Sequence, residues 1–144
     1  GADMNHLLLM AQEAAFRCAR PDHVILALLD PAQTVLRGRL HAGAHGKIDP
    51  AAATVEMARR DSPLVQCLLS RNSWRGLTTP EIWGKELIQA TQARHALIAP
   101  ILAHDKSIGL QLLTRSDDDP FSKQEQGWLE AITGSLGVGF ERQR

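Results

Sequence analysis

Neither positive nor negative charge predominates in this sequence, and the lack of a charge excess excludes partners that bind through one. The 144 residues include sixteen basic and sixteen acidic side chains, so the formal net charge is zero. The basic residues form no run or stripe, whereas surfaces that bind nucleic acid or anionic lipid usually concentrate positive charge. We therefore expect neither nucleic acid nor a membrane surface as a partner.

Long hydrophobic segments are missing as well. The longest apolar runs have about eight residues, well below the roughly 20 that an α-helix needs to cross a bilayer. The N-terminus also lacks the basic region and the cleavage site of a secretory signal. These absences predict a cytoplasmic protein.

Cysteine is scarce too. Cys18 and Cys67 are the only two in the chain; they are far apart, and each is surrounded by helix-forming residues. This pattern favours two buried thiols in a reducing compartment over a disulfide framework.

The length and composition predict one globular domain over residues 1–144. A hydrophobic content of 44% and a charged content of 22% are enough for a sizeable core and argue against disorder. Both ends fall inside predicted helices, and no methionine precedes Ala2. We therefore expect a module taken from a longer multidomain protein, with residues 1–2 left over from cloning.

The first part of the chain has the pattern of a helix followed by two strands. A helix is predicted over residues 5–20, where it stops before a proline. The continuous apolar run 24–29 predicts a strand that is buried on both faces. Residues 35–41 alternate, with Leu36 and Leu40 on one face, which predicts a half-exposed strand paired to the first.

The middle segment, residues 43–92, consists of short pieces. Pro63 is well placed at the first position of a short helix over residues 64–70. A brief strand over residues 73–77 and a helical stretch over residues 80–90 follow.

The last fifty residues carry the strongest local signals. Two apolar strands, residues 96–103 and 108–113, flank the polar loop 104–107 and predict a hairpin. After a polar stretch, Ser122 and Glu125 form a capping box that opens the final helix.

This order of elements resembles a GAF domain, the small-molecule sensor module of signalling proteins, over residues 6–142. The last two strands of that family carry a proline and a glycine, as Pro100 and Gly109 do here, and a Phe-Ser pair precedes the last helix, as Phe121 does. The resemblance implies an α+β fold related to the PAS fold. Its antiparallel sheet has paired terminal helices on one face and a helical lid, residues 43–92, on the other.

The resemblance also implies a function. GAF domains are regulatory, non-catalytic modules that bind a small molecule and signal through their terminal helices to an attached output domain. Here that domain is expected to be a histidine kinase, a cyclic-di-nucleotide enzyme or an HDOD domain.

Five residues are expected to contact the ligand between lid and sheet: Trp74, Arg75, Trp83, Ile98 and Gln111. The tryptophans offer flat apolar surfaces, and Arg75 offers a fork for a carboxylate or phosphate. No residue pattern specifies a particular ligand or cofactor.

Three more specific activities find weak support. The signature of cyclic-nucleotide-binding GAF domains is mostly replaced, because Thr114-Arg115 and Glu125-Gln126 stand at its two paired positions. A metal site at His41 and His45 would require a helix, whereas nearby glycines indicate a loop. A thiol-based methionine sulfoxide reductase would require Cys18 and Cys67 to meet, although they lie on different predicted helices.

Surplus apolar residues on the terminal helices predict a homodimer. The expected interface, which follows the rhythm of a helix–helix contact, consists of Leu7, Ala11, Trp128, Ala131, Ser135 and Val138. The alternative to a sensor is a ligand-free scaffold that only mediates protein–protein contact. An open cavity of about 300 Å³ or more with convergent polar groups favours the sensor, and a packed interior favours the scaffold.

Overall fold

A computed structural model describes residues 2–143 of the chain. Over these residues the chain forms five α-helices and six strands. The helices are α1 (Ala2–Ala19), α2 (Pro63–Ser70), α3 (Pro80–Trp83), α4 (Lys85–Thr91) and α5 (Lys123–Glu141). The strands are β1 (His23–Leu29), β2 (Val35–Gly43), β3 (Val55–Glu56), β4 (Trp74–Leu77), β5 (His95–Ala103) and β6 (Lys106–Arg115). None of the helices within residues 2–143 has the length and apolar character needed to traverse a bilayer.

The strands form one antiparallel sheet with the order β3-β2-β1-β6-β5-β4. The predicted central strand is confirmed as β1, in which Val24 through Ala27 are fully buried. Strands β5 and β6 are similarly buried over most of their length. Continuous apolar runs are expected where a strand is covered on both faces, and α1 and α5 cover one face while the lid covers the other.

Strand β2 differs from its predicted alternation. The register with β1 shifts by one residue, so that Leu26 pairs with Leu40 while the next residue of β1 pairs with Gly38, leaving Arg39 as the extra residue of a β-bulge. A bulge reverses which face the following side chains occupy. Leu36 therefore packs on the lid side and Leu40 on the helix side. The prediction that these two leucines share a face is wrong.

Helices α1 and α5 pack against each other and against one face of the sheet, as predicted. They run in opposite directions: a Cβ at Gly139 would lie 2.8 Å from Leu7 Cδ1, whereas Ala15 shares a cluster with Leu129. Helix α5 approaches β5 most closely at Gly137, where an added Cβ would lie 2.1 Å from the carbonyl oxygen of Leu102. Only glycine permits this approach.

The lid consists of α2, α3, α4 and a 3₁₀ turn, Pro50–Ala53, which cover the other face of the sheet. Two details differ from prediction. Residues 74–77 form the edge strand β4 beside β5 and so belong to the sheet. The single helical stretch predicted at 80–90 is divided by Gly84, whose positive φ of 89° interrupts it.

The hairpin between β5 and β6 is tighter than predicted. The turn contains two residues, His104 and Asp105, with φ angles of 50° and 63°. Two successive left-handed residues match the twist of the flanking strands. The capping box of α5 is confirmed, with Ser122 Oγ accepting from the Glu125 N–H and the Glu125 carboxylate accepting from the Ser122 N–H.

Candidate functional site

A cavity of about 310 Å³ lies within the lid. It is bounded by the 3₁₀ turn and β3, by the start of α2, and by the junction between α3 and α4. Its volume is at the lower end of the range for ligand pockets. The cavity sits among the lid elements, above the packed interface between lid and sheet.

Apolar and polar groups line this cavity together. Trp83 and Leu87 are buried in its wall, as is the hydroxyl-bearing Ser62. Charged Arg59 and Lys85 are exposed. An apolar wall with a few converging polar groups is the usual composition of a small-molecule site.

Three of the five predicted ligand residues come together on the lid side of the sheet. Trp74 packs edge-on against Trp83, with ring centroids 5.2 Å apart and planes at 66°. Ile98 is the partner of Trp74 across the β4–β5 pair and is fully buried. Of the three, Trp83 lines the cavity, while the other two belong to the core around it. Their contact with a ligand stays a prediction.

The other two predicted residues lie on the helix side. Arg75 follows Trp74 along a strand, and successive side chains of a strand point to opposite faces. Its guanidinium donates to the Gln126 side chain and to the Phe121 carbonyl, both at 3.1 Å. Gln111 is buried below α1 and donates to the carbonyl of Ala11 at 3.0 Å. The structure therefore separates Arg75 and Gln111 from the lid cavity.

Sequence reasoning did not identify Arg59, Ser62 and Lys85 as site residues. The Ser62-Pro63 pair did indicate where α2 starts, but the pattern does not show that the serine hydroxyl is left without a bond to the helix. The position of Lys85 depends on the interruption of the helical stretch at Gly84. The lack of a bond from the Ser62 hydroxyl to the helix and the position of Lys85 both depend on how the lid helices pack in the folded domain.

The predicted dimer residues occupy the surface of α1 and α5. Leu7, Ala131 and Ser135 line an apolar groove of about 350 Å³ between the two helices. Trp128 is 41% exposed, and Val138 is also exposed. Ala11 lines the same groove but is already buried against its own chain. Self-association through this surface stays a prediction.

The two cysteines lie on opposite sides of the sheet. Cys67 is buried in the lid-side core, and that burial raises the pKa of its thiol to about 12. A thiol of this kind is protonated at neutral pH and is a poor nucleophile. Cys18 lies on α1 and is exposed, so the expectation of two buried thiols is wrong for this residue.

Two of the histidines, His23 and His41, form a close pair that the sequence pattern did not indicate. His41 Nδ1 accepts from the Ile48 N–H at 3.4 Å, and its Nε2 lies 2.8 Å from His23 Nδ1. Within residues 2–143, histidine, cysteine, aspartate and glutamate side chains nowhere form a group of three that could hold a metal ion.

The sequence matches no family model and no curated protein sequence. Solved structures do resemble the chain closely. The second GAF domain of DevS from Mycobacterium smegmatis has a TM-score of 0.76 and 15% identity, with 96% of this chain and 93% of that chain covered. A GAF domain/HD domain protein from Geobacter sulfurreducens has a TM-score of 0.77 and 15% identity, with 94% and 90% covered.

A GAF domain from an Acinetobacter phosphoenolpyruvate-protein phosphotransferase is also similar, with a TM-score of 0.71 and 12% identity over 94% of this chain and 79% of that chain. At these identities the similarity concerns the fold. The predicted GAF-like α+β architecture is thereby confirmed.

Proposed function

We propose, from the GAF fold of this chain and the cavity in its lid, that the domain is a non-catalytic sensor. It binds a small molecule in the lid cavity and transmits the binding event through α1 and α5 to an attached output domain. The observation that carries this proposal is the cavity of about 310 Å³, whose wall combines buried Trp83 and Ser62 with exposed Arg59 and Lys85.

The output domain that we propose is a histidine kinase, a cyclic-di-nucleotide enzyme or an HDOD domain. The Geobacter neighbour combines a GAF domain with an HD domain, and another structural neighbour is part of a methyl-accepting chemotaxis protein. These two arrangements support a regulatory module that acts on a domain in the same chain.

A chain of contacts runs from the lid to the end of α5 and supplies a route for the signal. On the lid side, Arg71 at the end of α2 donates to the Asp105 carbonyl at 3.0 Å, and the Ser107 hydroxyl donates to the Leu68 carbonyl at 2.6 Å. On the helix side, the His104 N–H donates to the Glu141 carboxylate at 2.7 Å. A displacement of α2 is thus passed through the β5–β6 turn to the last residue of α5.

Dimerisation through α1 and α5 completes the proposed mechanism. Leu9, Met10, Trp128 and Val138 are large apolar residues that remain exposed on these two helices. Met10 lines the apolar groove between the two helices, and contiguous apolar surface of this kind marks interaction sites. A second copy of the chain can cover them in a four-helix bundle, which would align the helices of both subunits.

Ligand binding is tested first by native mass spectrometry of freshly purified protein, in which a retained molecule adds its mass to the domain. A thermal-shift screen of neutral and charged metabolites follows, because a ligand that binds only the folded state raises the melting temperature. Tryptophan fluorescence of Trp128→Phe then reports on Trp74 and Trp83 alone, since the chain has three tryptophans. A screen without retained mass, thermal shift or fluorescence change would contradict the sensor function.

The second candidate function is a ligand-free scaffold. It is favoured by the packing beneath the cavity, where Ile98 and Leu112 are fully buried and Trp74 already contacts Trp83. A domain that dimerises tightly and binds no member of the screen would support this function.

A further inference from the structure

Helix α2 begins at the lid cavity without a side-chain cap. Ser62 is its N-cap residue, yet the Ser62 side chain accepts no hydrogen bond from the helix. Pro63 follows and has no N–H to donate. The first N–H groups of a helix have no carbonyl partner within it, so those of Leu64 and Val65 remain available.

Two polar side chains in the cavity wall are also uncommitted. Ser62 is only 3% exposed and lines the cavity, and its hydroxyl forms no cap bond with the helix that it precedes. The indole N–H of Trp83 is buried and unpaired in the same part of the chain. Buried polar groups are normally hydrogen-bonded, and an indole N–H can only donate, so the missing partner of Trp83 is an acceptor.

The charges around the cavity favour an anionic acceptor. Lys85 lines it and forms no ion pair within the described range. Arg59 donates from Nε to Asp61 at 3.2 Å and keeps its two terminal nitrogens for another acceptor. Glu86 is the one carboxylate in the described lining. The N-terminal end of α2 adds a partial positive charge next to Ser62.

We propose that the ligand of the lid cavity carries a carboxylate or phosphate group, which binds at the N-terminus of α2. Its oxygens accept from the Trp83 indole N–H, from the Ser62 hydroxyl and from the N–H groups at the start of α2, and Lys85 neutralises its charge. This proposal rests on the sensor function and assigns the chemical class of the ligand.

The test uses the whole domain labelled with ¹⁵N and three simple probes: inorganic phosphate, malonate and neutral malonamide. Each probe is added at up to about 20 mM, because fragments of this size bind weakly. Sodium chloride holds the ionic strength constant. We expect phosphate or malonate to shift the amide signals of Leu64 and Val65 and the indole signal of Trp83, and malonamide to leave them unchanged. The stronger of the two anions identifies the group as phosphate or carboxylate.

Two substitutions of Ser62 should weaken anion binding to different extents. Ser62→Asp introduces an acidic cap, which should raise the melting temperature of the free domain. The same carboxylate occupies the N-terminus of α2, so anion binding should weaken by roughly ten-fold or more. Ser62→Ala removes one donor without adding charge and should weaken binding less.

Lys85→Ala should also weaken anion binding. Lys106→Ala removes another exposed lysine, which lies outside the cavity lining, and should not weaken it. Anion shifts that are absent from α2, or that persist unchanged in Ser62→Asp, would overturn the proposal. If the metabolite screen yields only neutral ligands, the anionic class is overturned while the sensor function stands. If it yields no ligand of either kind and neither anion shifts these signals, both are overturned.

Discussion

Arg115 and Glu125 form an ion pair that is largely excluded from solvent, with the arginine Nη2 2.6 Å from the glutamate Oε2. The guanidinium also lies over the Phe121 ring at 4.2 Å and donates to the carbonyl of Ala19. One arginine therefore connects the end of α1, strand β6 and the start of α5. Most of the signature of cyclic-nucleotide-binding GAF domains is replaced in this sequence. Arg115, Phe121 and Glu125, which stand at its positions, nevertheless form this cluster, in which Arg115 contacts the other two.

Removal of Arg115 should destabilise the domain strongly. Arg115→Met leaves the carboxylate of Glu125 partly buried and unpaired, and we expect a loss of about 2–4 kcal/mol in the free energy of unfolding. Arg17→Met is the matched control, because Arg17 also lies 2.6 Å from its partner Glu13 but both side chains are more than half exposed. The control should lose about 0.5 kcal/mol or less. Urea denaturation measures both, and equal losses would refute the structural role of the buried pair.

The same pair predicts loss of stability in acid. Burial raises the pKa of Glu125, but hydrogen bonds from Arg115 and Ser122 outweigh it and hold that pKa below its usual value. A depressed folded pKa contributes stability above the unfolded pKa, and this contribution disappears as the pH falls through the folded value. The free energy of unfolding of the wild type should therefore fall more steeply below about pH 5 than that of Glu125→Gln. Parallel pH profiles would contradict the assignment.

The histidine pair predicts a second pH dependence, nearer neutrality. Burial lowers the pKa of both His23 and His41. Neighbouring groups also change these pKa values. Asp22 raises the pKa of His23 and His45 lowers it, while Lys47 lowers the pKa of His41.

Because the unfolded chain binds protons more readily than this pair, the free energy of unfolding should decrease as the pH falls from about 7.5 through the usual histidine pKa of about 6.5. The double substitution of His23 and His41 by glutamine should flatten this part of the profile. His6→Gln, which changes an exposed histidine of α1, is the control and should keep the wild-type slope. Urea denaturation at about pH 5.5, 6.5 and 7.5 spans the region where histidine titrates and measures this slope. A double variant whose free energy of unfolding varies with pH as steeply as that of the wild type would contradict the role of the pair.

The proposed dimer is tested by placing a charge in its interface. Trp128→Glu should convert a dimer to a monomer while the circular-dichroism spectrum stays native, because an unpaired charge is costly in a desolvated contact. Leu69→Glu changes an apolar residue of a lid helix that is also exposed, and it should leave the dimer intact. Sedimentation at tens of micromolar, about the range of a weak specific contact, distinguishes the two. A monomeric wild type would exclude the interface.

The route through the β5–β6 turn is tested by Ser107→Ala, which removes the bond from the turn to Leu68 in α2. Ligand binding should persist, while ligand-induced NMR shifts in the last turn of α5 should shrink. Ser73→Ala is the control, because it removes a hydroxyl bond to Glu130 in the middle of α5 without touching the turn. Equal α5 shifts in wild type and Ser107→Ala would exclude the bond between Ser107 and Leu68 as part of this route.

Local sequence signals predicted much of the fold. The apolar run of β1, the proline at the start of α2 and the capping box at Ser122 each specify an element through neighbouring residues, and all three are present. Arg75 and Gln111 were predicted to lie between lid and sheet but lie on the helix side, because the side depends on the phase of each strand relative to the two layers that cover the sheet. The bulge at Arg39 shows the same limit, since the alternation of β2 changes phase through its pairing with β1.

The candidate site was less predictable than the fold for a related reason. Trp83 was identified because a large aromatic residue in the lid is informative by itself. Ser62 is informative only when its missing cap bond and its burial are known together. The missing cap bond and the burial of Ser62 both depend on how α2 packs against the 3₁₀ turn and α4, and no local sequence pattern specifies this packing.

The opposite directions of α1 and α5 determine how the domain responds to mechanical force. Since Leu7 lies beside Gly139, the start of α1 and the end of α5 are at the same end of the molecule. We expect tension applied between residues 2 and 141 to load the contacts between the two helices before it loads the hydrogen bonds between β1 and β6. The helix pair should therefore separate first, while the sheet and the lid cavity keep their shape.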